Sequence, residues 1–193
     1  HGAAEIGDEA RLLARCAPTV VARDRAAGAP LAATLGNLIL MDDGLQNPRL
    51  AKAVSLAVAD GAFGLGNRRV IPAGPLRAPI ERQWPLVQAL VVIGGGEPGE
   101  ALAHEAGRRA VPVFRAHMAA RRPGAMAGRR VVAFAGIGSP WKFLASLAAD
   151  GAEIAAAIDF PDHHVFTAGD ARRLLALARE HDAALVTTEK DKA

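Results

Sequence analysis

Short apolar runs of four to six residues recur along the chain, and stretches with helical periodicity separate many of them. Several runs are apolar at almost every position instead of alternating with polar residues, which is typical of strands buried on both faces of a sheet. This alternation of strands and helices predicts an α/β protein with a mainly parallel sheet. The eight predicted strands are 19–22, 38–41, 54–59, 90–94, 111–114, 131–136, 153–158 and 184–187.

Two of the intervening helices carry start signals. Ser139 is predicted to cap one helix, with Pro140 at its first position and Gly151 at its stop. Thr167 and Asp170 have the spacing of a capping box, which predicts the start of the helix that contains RRLLALAREH.

The stretch 116–130 interrupts this rhythm with clustered arginines, Pro123 and small-residue turns. It is interpreted as a connector between two α/β domains, 1–115 and 131–193. Its arginines are expected to form a solvated surface.

Composition narrows the class of protein. The chain has 193 residues, of which 51% are hydrophobic and 22% charged, as is typical of a globular protein with an apolar core. A single cysteine, Cys16, excludes an internal disulfide and a cysteine-based zinc site. The net charge of +3 favours acidic partners, whereas an aromatic content of 4% argues against a stacking platform for nucleic acid.

The stretch MDDGLQNPRL places several polar groups directly after a predicted strand. Asp42 and Asp43 supply the oxygen ligands that Mg²⁺ prefers, Gly44 permits a sharp turn, and Gln46 and the next asparagine crowd the same place. Ligands of open α/β sheets bind beyond the carboxyl ends of the strands, but Asp-Asp-Gly is also typical of a surface turn. Both interpretations stay open on the chemistry alone.

A second candidate is GGGEPG (94–99), which matches G-x-G-x-x-G between a predicted strand and a predicted helix. Such a loop would make the protein a dinucleotide-binding oxidoreductase. Glu97, Pro98 and Glu100 crowd a loop that should accept pyrophosphate, so a flexible loop is the preferred interpretation and the oxidoreductase is the alternative.

Three further motifs contain residues that suit catalysis or anion binding. Asp162-His163-His164 is compatible with a metal site, a general-base relay or a polar turn. Asp8 begins an amphipathic helix, where the preference for acidic residues at helix N-termini explains it without a function. Arg77 lies in a proline-stiffened loop that suits either an anion or a plain linker.

A phosphate-handling α/β protein is expected to contain G-x-x-x-x-G-K-[ST], and the sequence contains none. Either Asp42 and Asp43 have no phosphate role, or the chain begins after its phosphate loop. TTEKD (187–191) follows the last predicted strand and is compatible with a cap for a further helix.

Together these stretches resemble the tetraacyldisaccharide 4′-kinase family of the lipid A pathway. The motifs occur in the family's order and at about its spacing, and they cover most of the chain. They are GDE (7–9), DDGLQNP (42–48), GNRRVIPAGPLR (66–77), AFAGIGSPWKF (133–143), FPDHH (160–164) and TTEKD (187–191).

The resemblance implies an α/β fold in which the mainly parallel sheet of a P-loop-kinase-like core is followed by a second, smaller α/β domain. It implies transfer of the γ-phosphate of ATP, with Mg²⁺, to the 4′-hydroxyl of tetraacyldisaccharide 1-phosphate. The implied location is the cytoplasmic face of the bacterial inner membrane, and nucleic acid is not an implied partner.

The resemblance also implies roles for single residues. Asp8 matches the family's proposed catalytic base, and His163 matches the residue paired with it. The two are expected in different domains, so domain closure is expected to assemble the pair. The implied Mg²⁺ ligands are Asp42 and Asp43, and the implied cofactor-binding residues are Gln46 and Arg77, with Arg25 as a weaker candidate for phosphate or substrate.

The sequence departs from the family's pattern in several places. The family's N-terminal membrane segment and Gly-rich phosphate loop are missing, and its chain normally continues beyond TTEKD. Asn47 stands where many members have His, and Ala78 stands where they have Glu. The chain is therefore expected to be a fragment cut at both ends that binds ATP poorly and catalyses little by itself.

Overall fold

A computed structural model describes residues 6–192 of the chain. The described helices and strands, in chain order, are α1 Asp8–Ala14, α2 Arg25–Leu35, β1 Leu56–Asp60, α3 Ile80–Gln83, a 3₁₀ turn Trp84–Leu86, β2 Ala89–Ile93, α4 Glu97–Arg108, β3 Val113–Ala116, β4 Arg130–Ala135, α5 Pro140–Ala149, β5 Glu153–Asp159, α6 Ala168–Glu180 and β6 Ala184–Val186.

These elements form two compact units. The central unit is Ala22–Met118, and the terminal unit combines the described residues up to Val21 with those from Ala119 onward. The change of unit at residue 118 falls within the predicted connector 116–130. The described residues 6–21 group with the terminal unit, whereas the sequence predicted them in the domain 1–115.

The central unit contains a parallel sheet in the order β1-β2-β3. Leu90 and Val92 point to the side of the sheet that α4 covers, where they are buried with Leu102 and Ala106. The residues of the opposite side that are exposed are Leu56, Val58 and Phe114. Burial on one side therefore fixes how α4 packs, and this packing determines where the loops at the strand ends lie.

The terminal unit contains a second parallel sheet, in the order β5-β4-β6. Its central strand, β4, is the most buried part of the unit, with Val131, Val132 and Ala133 fully inaccessible. This near-continuous apolar strand is what a parallel sheet requires of its middle member. The predicted α/β class with parallel sheets is thus confirmed.

Two of the eight predicted strands, 19–22 and 38–41, are irregular. Leu38 is 75% exposed and Leu40 is 86% exposed. A strand is held by hydrogen bonds to a neighbouring strand, and within residues 6–192 no strand pairs with these runs. Both strand predictions are therefore wrong here, and Asp42 and Asp43 follow an irregular stretch.

Across residues 6–192, none of the helices combines the length and the apolar character that crossing a bilayer demands.

Candidate functional site

Asp8 and His163 lie side by side in the terminal unit. Asp8 occupies the first turn of α1, and its Oδ2 atom is 3.3 Å from Nδ1 of His163. His163 has a positive φ of 59°, and its backbone N–H donates to the carbonyl oxygen of Gly136 at the end of β4. The predicted pairing of Asp8 with His163 is thus present in the geometry, although both residues belong to one unit and not to two different domains.

A lysine completes this group, which we call the dyad cluster: Asp8, Asp162, His163 and Lys190. The Lys190 ammonium lies 3.3 Å from Oδ1 of Asp162 and 3.7 Å from Oδ2 of Asp8. Burial opposes ionisation of Asp162, but the hydrogen bond and charge of Lys190, helped by His163, outweigh it and lower the pKa of Asp162. The cluster therefore combines two carboxylates with a lysine ammonium and an imidazole.

The dyad cluster is built where the loops after β4, β5 and β6 meet. Asp191 ties the loop after β6 to the loop after β4, because its Oδ1 accepts from the Gly136 N–H at 3.0 Å, while its Oδ2 accepts from the Thr188 hydroxyl of its own loop at 2.6 Å. The His163 N–H joins the loop after β5 to the same place, because it donates to the Gly136 carbonyl oxygen at 3.1 Å. A Cβ at Gly136 would lie 3.1 Å from Asp191 Oδ1 and 3.1 Å from the Pro161 carbonyl oxygen. A side chain at this position would need these neighbours to move by a few tenths of an ångström, so glycine favours the close approach of the three loops.

The sequence alone assigns no role to Lys190, because TTEKD is compatible with a helix cap and its match to the family's motif carries no role for single residues. A usable signal was nevertheless present in the topology. TTEKD and FPDHH follow β6 and β5, the two neighbours of β4 in a parallel sheet. Motifs that follow neighbouring parallel strands meet at the same sheet edge, so their charged residues are expected to come together.

A second polar group lies in the central unit around Asp43. The Arg77 guanidinium donates to Oδ2 of Asp43 at 2.6 Å, and Arg25 donates to the Asp43 carbonyl oxygen at 2.8 Å. Asp43 has a positive φ of 52°, a conformation that Asp adopts more readily than most other non-glycine residues. The two arginines predicted to meet phosphate thus contact Asp43, while Asp42 is exposed beside it.

The donor chemistry of Asp42 and Asp43 suits Mg²⁺, although within residues 6–192 no three acidic, histidine or cysteine side chains are grouped as a metal site. Mg²⁺ usually takes one or two carboxylates and completes its shell with water and phosphate oxygens. Two carboxylates would be enough for the protein's share of such a site, and one oxygen of Asp43 already accepts from Arg77.

Gln46 contacts protein groups in the central unit. Its amide N–H donates to Oε1 of Gln83 at 2.7 Å, and Gln83 in turn donates to the carbonyl oxygen of Ala78 at 2.6 Å. Gln83 is buried, so this chain of hydrogen bonds fixes the DDG stretch against the loop that carries Arg77.

The GGGEPG loop has a packing explanation. Gly96 is the N-cap of α4, and the Gly99 N–H donates to the Gly61 carbonyl oxygen at 2.8 Å. A Cβ at Gly96 would lie 2.7 Å from the Gly61 oxygen, and one at Gly99 would lie 2.6 Å from the Gly61 Cα. The glycines therefore allow α4 to pack against the end of β1, and this geometry gives no support to the oxidoreductase alternative.

Comparison with known proteins places these motifs in one family. The sequence profile described as tetraacyldisaccharide-1-P 4′-kinase matches residues 1–193. The tetraacyldisaccharide 4′-kinase of Methylorubrum extorquens (strain PA1) is 60% identical over 192 residues, which is 99% of this chain and 59% of that protein. The enzyme of the same name from Bradyrhizobium sp. (strain ORS 278) is 51% identical, with 99% of this chain and 58% of that protein covered.

A solved structure shares the fold. It is the crystal structure of "apo" form LpxK from Aquifex aeolicus in complex with ATP, with a TM-score of 0.63 and 24% sequence identity over 99% of this chain and 60% of that one. This likeness confirms the predicted kinase-type α/β fold. The chain spans a little under three fifths of the length of the relatives it matches. Because the family profile matches all 193 residues of the chain, the chain belongs to the tetraacyldisaccharide-1-P 4′-kinase family.

Proposed function

We propose that the complete protein containing this chain transfers the γ-phosphate of ATP to the 4′-hydroxyl of tetraacyldisaccharide 1-phosphate. The observation that carries the proposal is the 3.3 Å contact between Asp8 and His163 in a member of this family. The proposal concerns the complete protein, because the chain covers 59% of its relative from M. extorquens.

Asp8 is the proposed general base. As the 4′-oxygen bonds to the γ-phosphorus, the bond from that phosphorus to the bridging oxygen of ADP breaks, and the hydroxyl proton passes to the Asp8 carboxylate. His163 keeps this carboxylate oriented and offsets its negative charge through Nδ1. Asp8 is only 19% exposed, so the proton acceptor is partly shielded from bulk water.

The proposed nucleotide side of the site lies around DDGLQNP. Asp42 and Asp43 would hold Mg²⁺, which when bound neutralises charge on the phosphate oxygens. Arg77 supports this role, because its guanidinium is half exposed and already lies at the carboxylate, where it can also reach an anionic oxygen. Gln46 supports the same region by bracing it through Gln83.

The proposed location of the complete protein is the cytoplasmic face of the bacterial inner membrane. The acceptor carries acyl chains that belong in a bilayer, and ATP is available on the cytoplasmic side. The basic balance of the chain, with a sequence pI of about 9.6, supports attraction to anionic lipid headgroups.

The test is a kinase assay of the complete protein with radiolabelled ATP, Mg²⁺ and tetraacyldisaccharide 1-phosphate in mixed micelles. Asp8→Asn is expected to lower kcat by at least about 100-fold, because loss of a positioned base removes that much acceleration. His163→Ala is expected to lower kcat by a smaller factor that still exceeds about twofold.

The matched control is His117→Ala, since His117 is an exposed histidine of the central unit. This variant should keep the wild-type rate. Absence of 4′-phosphorylated product from the wild-type protein would refute the proposed activity. An Asp8→Asn rate within about twofold of wild type would refute the role of Asp8.

A further inference from the structure

Lys190 lies between two carboxylates in the dyad cluster. Its ammonium is 3.3 Å from Asp162 and 3.7 Å from Asp8, and the Lys190 side chain is 21% exposed. An exposed ion pair contributes little to orientation because water screens it, whereas a partly buried pair is screened less. The Lys190–Asp8 pair, whose side chains are 21% and 19% exposed, is therefore screened less than a surface pair.

His163 is a weaker constraint on Asp8 than its distance suggests. Its side chain is 60% exposed, and its Nε2 atom is 3.8 Å from Asp162, beyond hydrogen-bond range. An imidazole held mainly by one contact keeps rotational freedom. The partly buried Lys190 ammonium is the more shielded neighbour of the Asp8 carboxylate, and at 3.7 Å it forms an ion pair with Asp8 and not a hydrogen bond.

The turn that carries Lys190 is itself firmly held. The Asp191 N–H donates to the Thr188 hydroxyl at 3.2 Å, and the Asp191 carboxylate accepts from that hydroxyl and from the Gly136 N–H. Asp191 therefore anchors the turn to the end of β4. Anchoring at the next residue removes backbone freedom from Lys190, so that only its side-chain torsions remain to be ordered when its ammonium meets the two carboxylates.

Glu189, in the same motif, is not part of the dyad cluster. Its carboxylate lies 3.9 Å from Arg121, and both side chains are largely exposed. The turn thus divides its charged residues, with Glu189 at the surface and Lys190 at the dyad.

We propose that Lys190 is a positioning residue, which acts through Asp8 and, together with Asp162, holds the Asp8 carboxylate in the orientation that accepts the hydroxyl proton. This inference rests on the proposed kinase function. It assigns a role to TTEKD that is separate from contact with ATP, Mg²⁺ or the acceptor.

Kinase assays of the complete protein test it. Lys190→Met is expected to lower kcat by about 10- to 100-fold with both KM values within about twofold of wild type, because misplacement of a catalytic group affects the chemical step. Lys190→Arg keeps the positive charge and should recover to within about fivefold of wild type. Lys192→Met is the matched control, since Lys192 is an exposed lysine two residues away, and it should leave kcat unchanged.

The decisive variant combines Lys190→Met with Asp8→Asn. If Lys190 acts through Asp8, the double variant should be within about twofold of Asp8→Asn alone, because removal of the base removes what the lysine positions. A further loss of tenfold or more, or a raised KM for ATP in Lys190→Met, would overturn the proposal and make Lys190 a phosphate contact. A full wild-type rate in Lys190→Met would overturn it as well.

A second measurement does not depend on turnover. In ¹³C NMR spectra of the protein labelled at aspartate carboxyl carbons, the Asp8 signal is assigned by its loss in Asp8→Asn. This signal should move in Lys190→Met and stay in place in Lys192→Met. An unmoved Asp8 signal would overturn the positioning role even if the wild-type protein proves inactive as a kinase, so the two proposals fail separately.

Discussion

Three adjacent side chains, Asp162, His163 and His164, have three different sets of contacts. Asp162 accepts from the lysine of TTEKD, His163 lies against Asp8, and His164 contacts Asp170 at 3.2 Å. The positive φ of His163 turns the neighbours away from one another. The sequence can predict that such a polar triplet matters, but a backbone angle decides which partner each side chain meets, and composition does not encode that angle.

The Asp170 carboxylate allows a prediction about acid stability. It accepts from the Thr167 N–H, the Thr167 hydroxyl and His164, and these bonds, the backbone one first, lower the pKa of Asp170 to about 2. Because the pKa in the folded state lies below its ordinary value of 3.8, the unfolded chain binds the proton more readily. The stabilisation is therefore complete above about pH 4 and is lost as the pH falls towards 2.

Thermal unfolding followed by circular dichroism checks this prediction. Asp170→Asn should have a lower Tm than wild type at pH 7, and the gap between the two should narrow as the pH is lowered from 4 to 2. A gap of equal size at pH 7 and pH 2 would contradict the role assigned to the ionised carboxylate. Comparison of the two proteins at each pH cancels the effect of other acidic groups.

At the scale of elements, burial decides which apolar runs become strands. The run 131–136 lies at the middle of its sheet and forms a strand, as do five other predicted runs. The equally apolar run 38–41 stays irregular, because within the described residues it has no strand beside it. Local pattern therefore predicts β-propensity correctly, while strand formation depends on a distant partner that the pattern does not specify.

Helix caps can be predicted from local sequence, but the structure decides whether the capping hydrogen bond forms, and this difference yields a prediction. Thr167 closes a full capping box with Asp170 at the start of α6, whereas Ser139 at the start of α5 makes no capping hydrogen bond with its side chain. Thr167→Ala should lower the free energy of unfolding by about 1 kcal/mol, the usual loss for a cap residue. Ser139→Ala is the control and should cost less than about 0.5 kcal/mol. Urea unfolding measures both, and equal losses would contradict the assignment.

At the scale of the whole molecule, the candidate residues divide between the two units. The dyad cluster belongs to the terminal unit, and Asp43 with its two arginines belongs to the central unit. The predicted connector contains the change of unit, but the sequence did not reveal that α1 joins the terminal unit. That assignment depends on contacts such as Asp8 with His163, which are far apart along the chain, and no local pattern records such a contact.

The 193-residue chain by itself is expected to bind ATP weakly and to transfer phosphate slowly. Phosphate loops hold the β- and γ-phosphates through backbone N–H groups and a lysine, and this sequence contains no G-x-x-x-x-G-K-[ST]. Isothermal titration calorimetry of this chain and of the complete protein with Mg²⁺ and ATP measures the difference, which we expect to exceed about 100-fold in Kd. Turnover of ATP by the chain alone, lost on Asp8→Ala, would contradict this expectation, because it would mean that the residues present here assemble a working phosphate site without that loop.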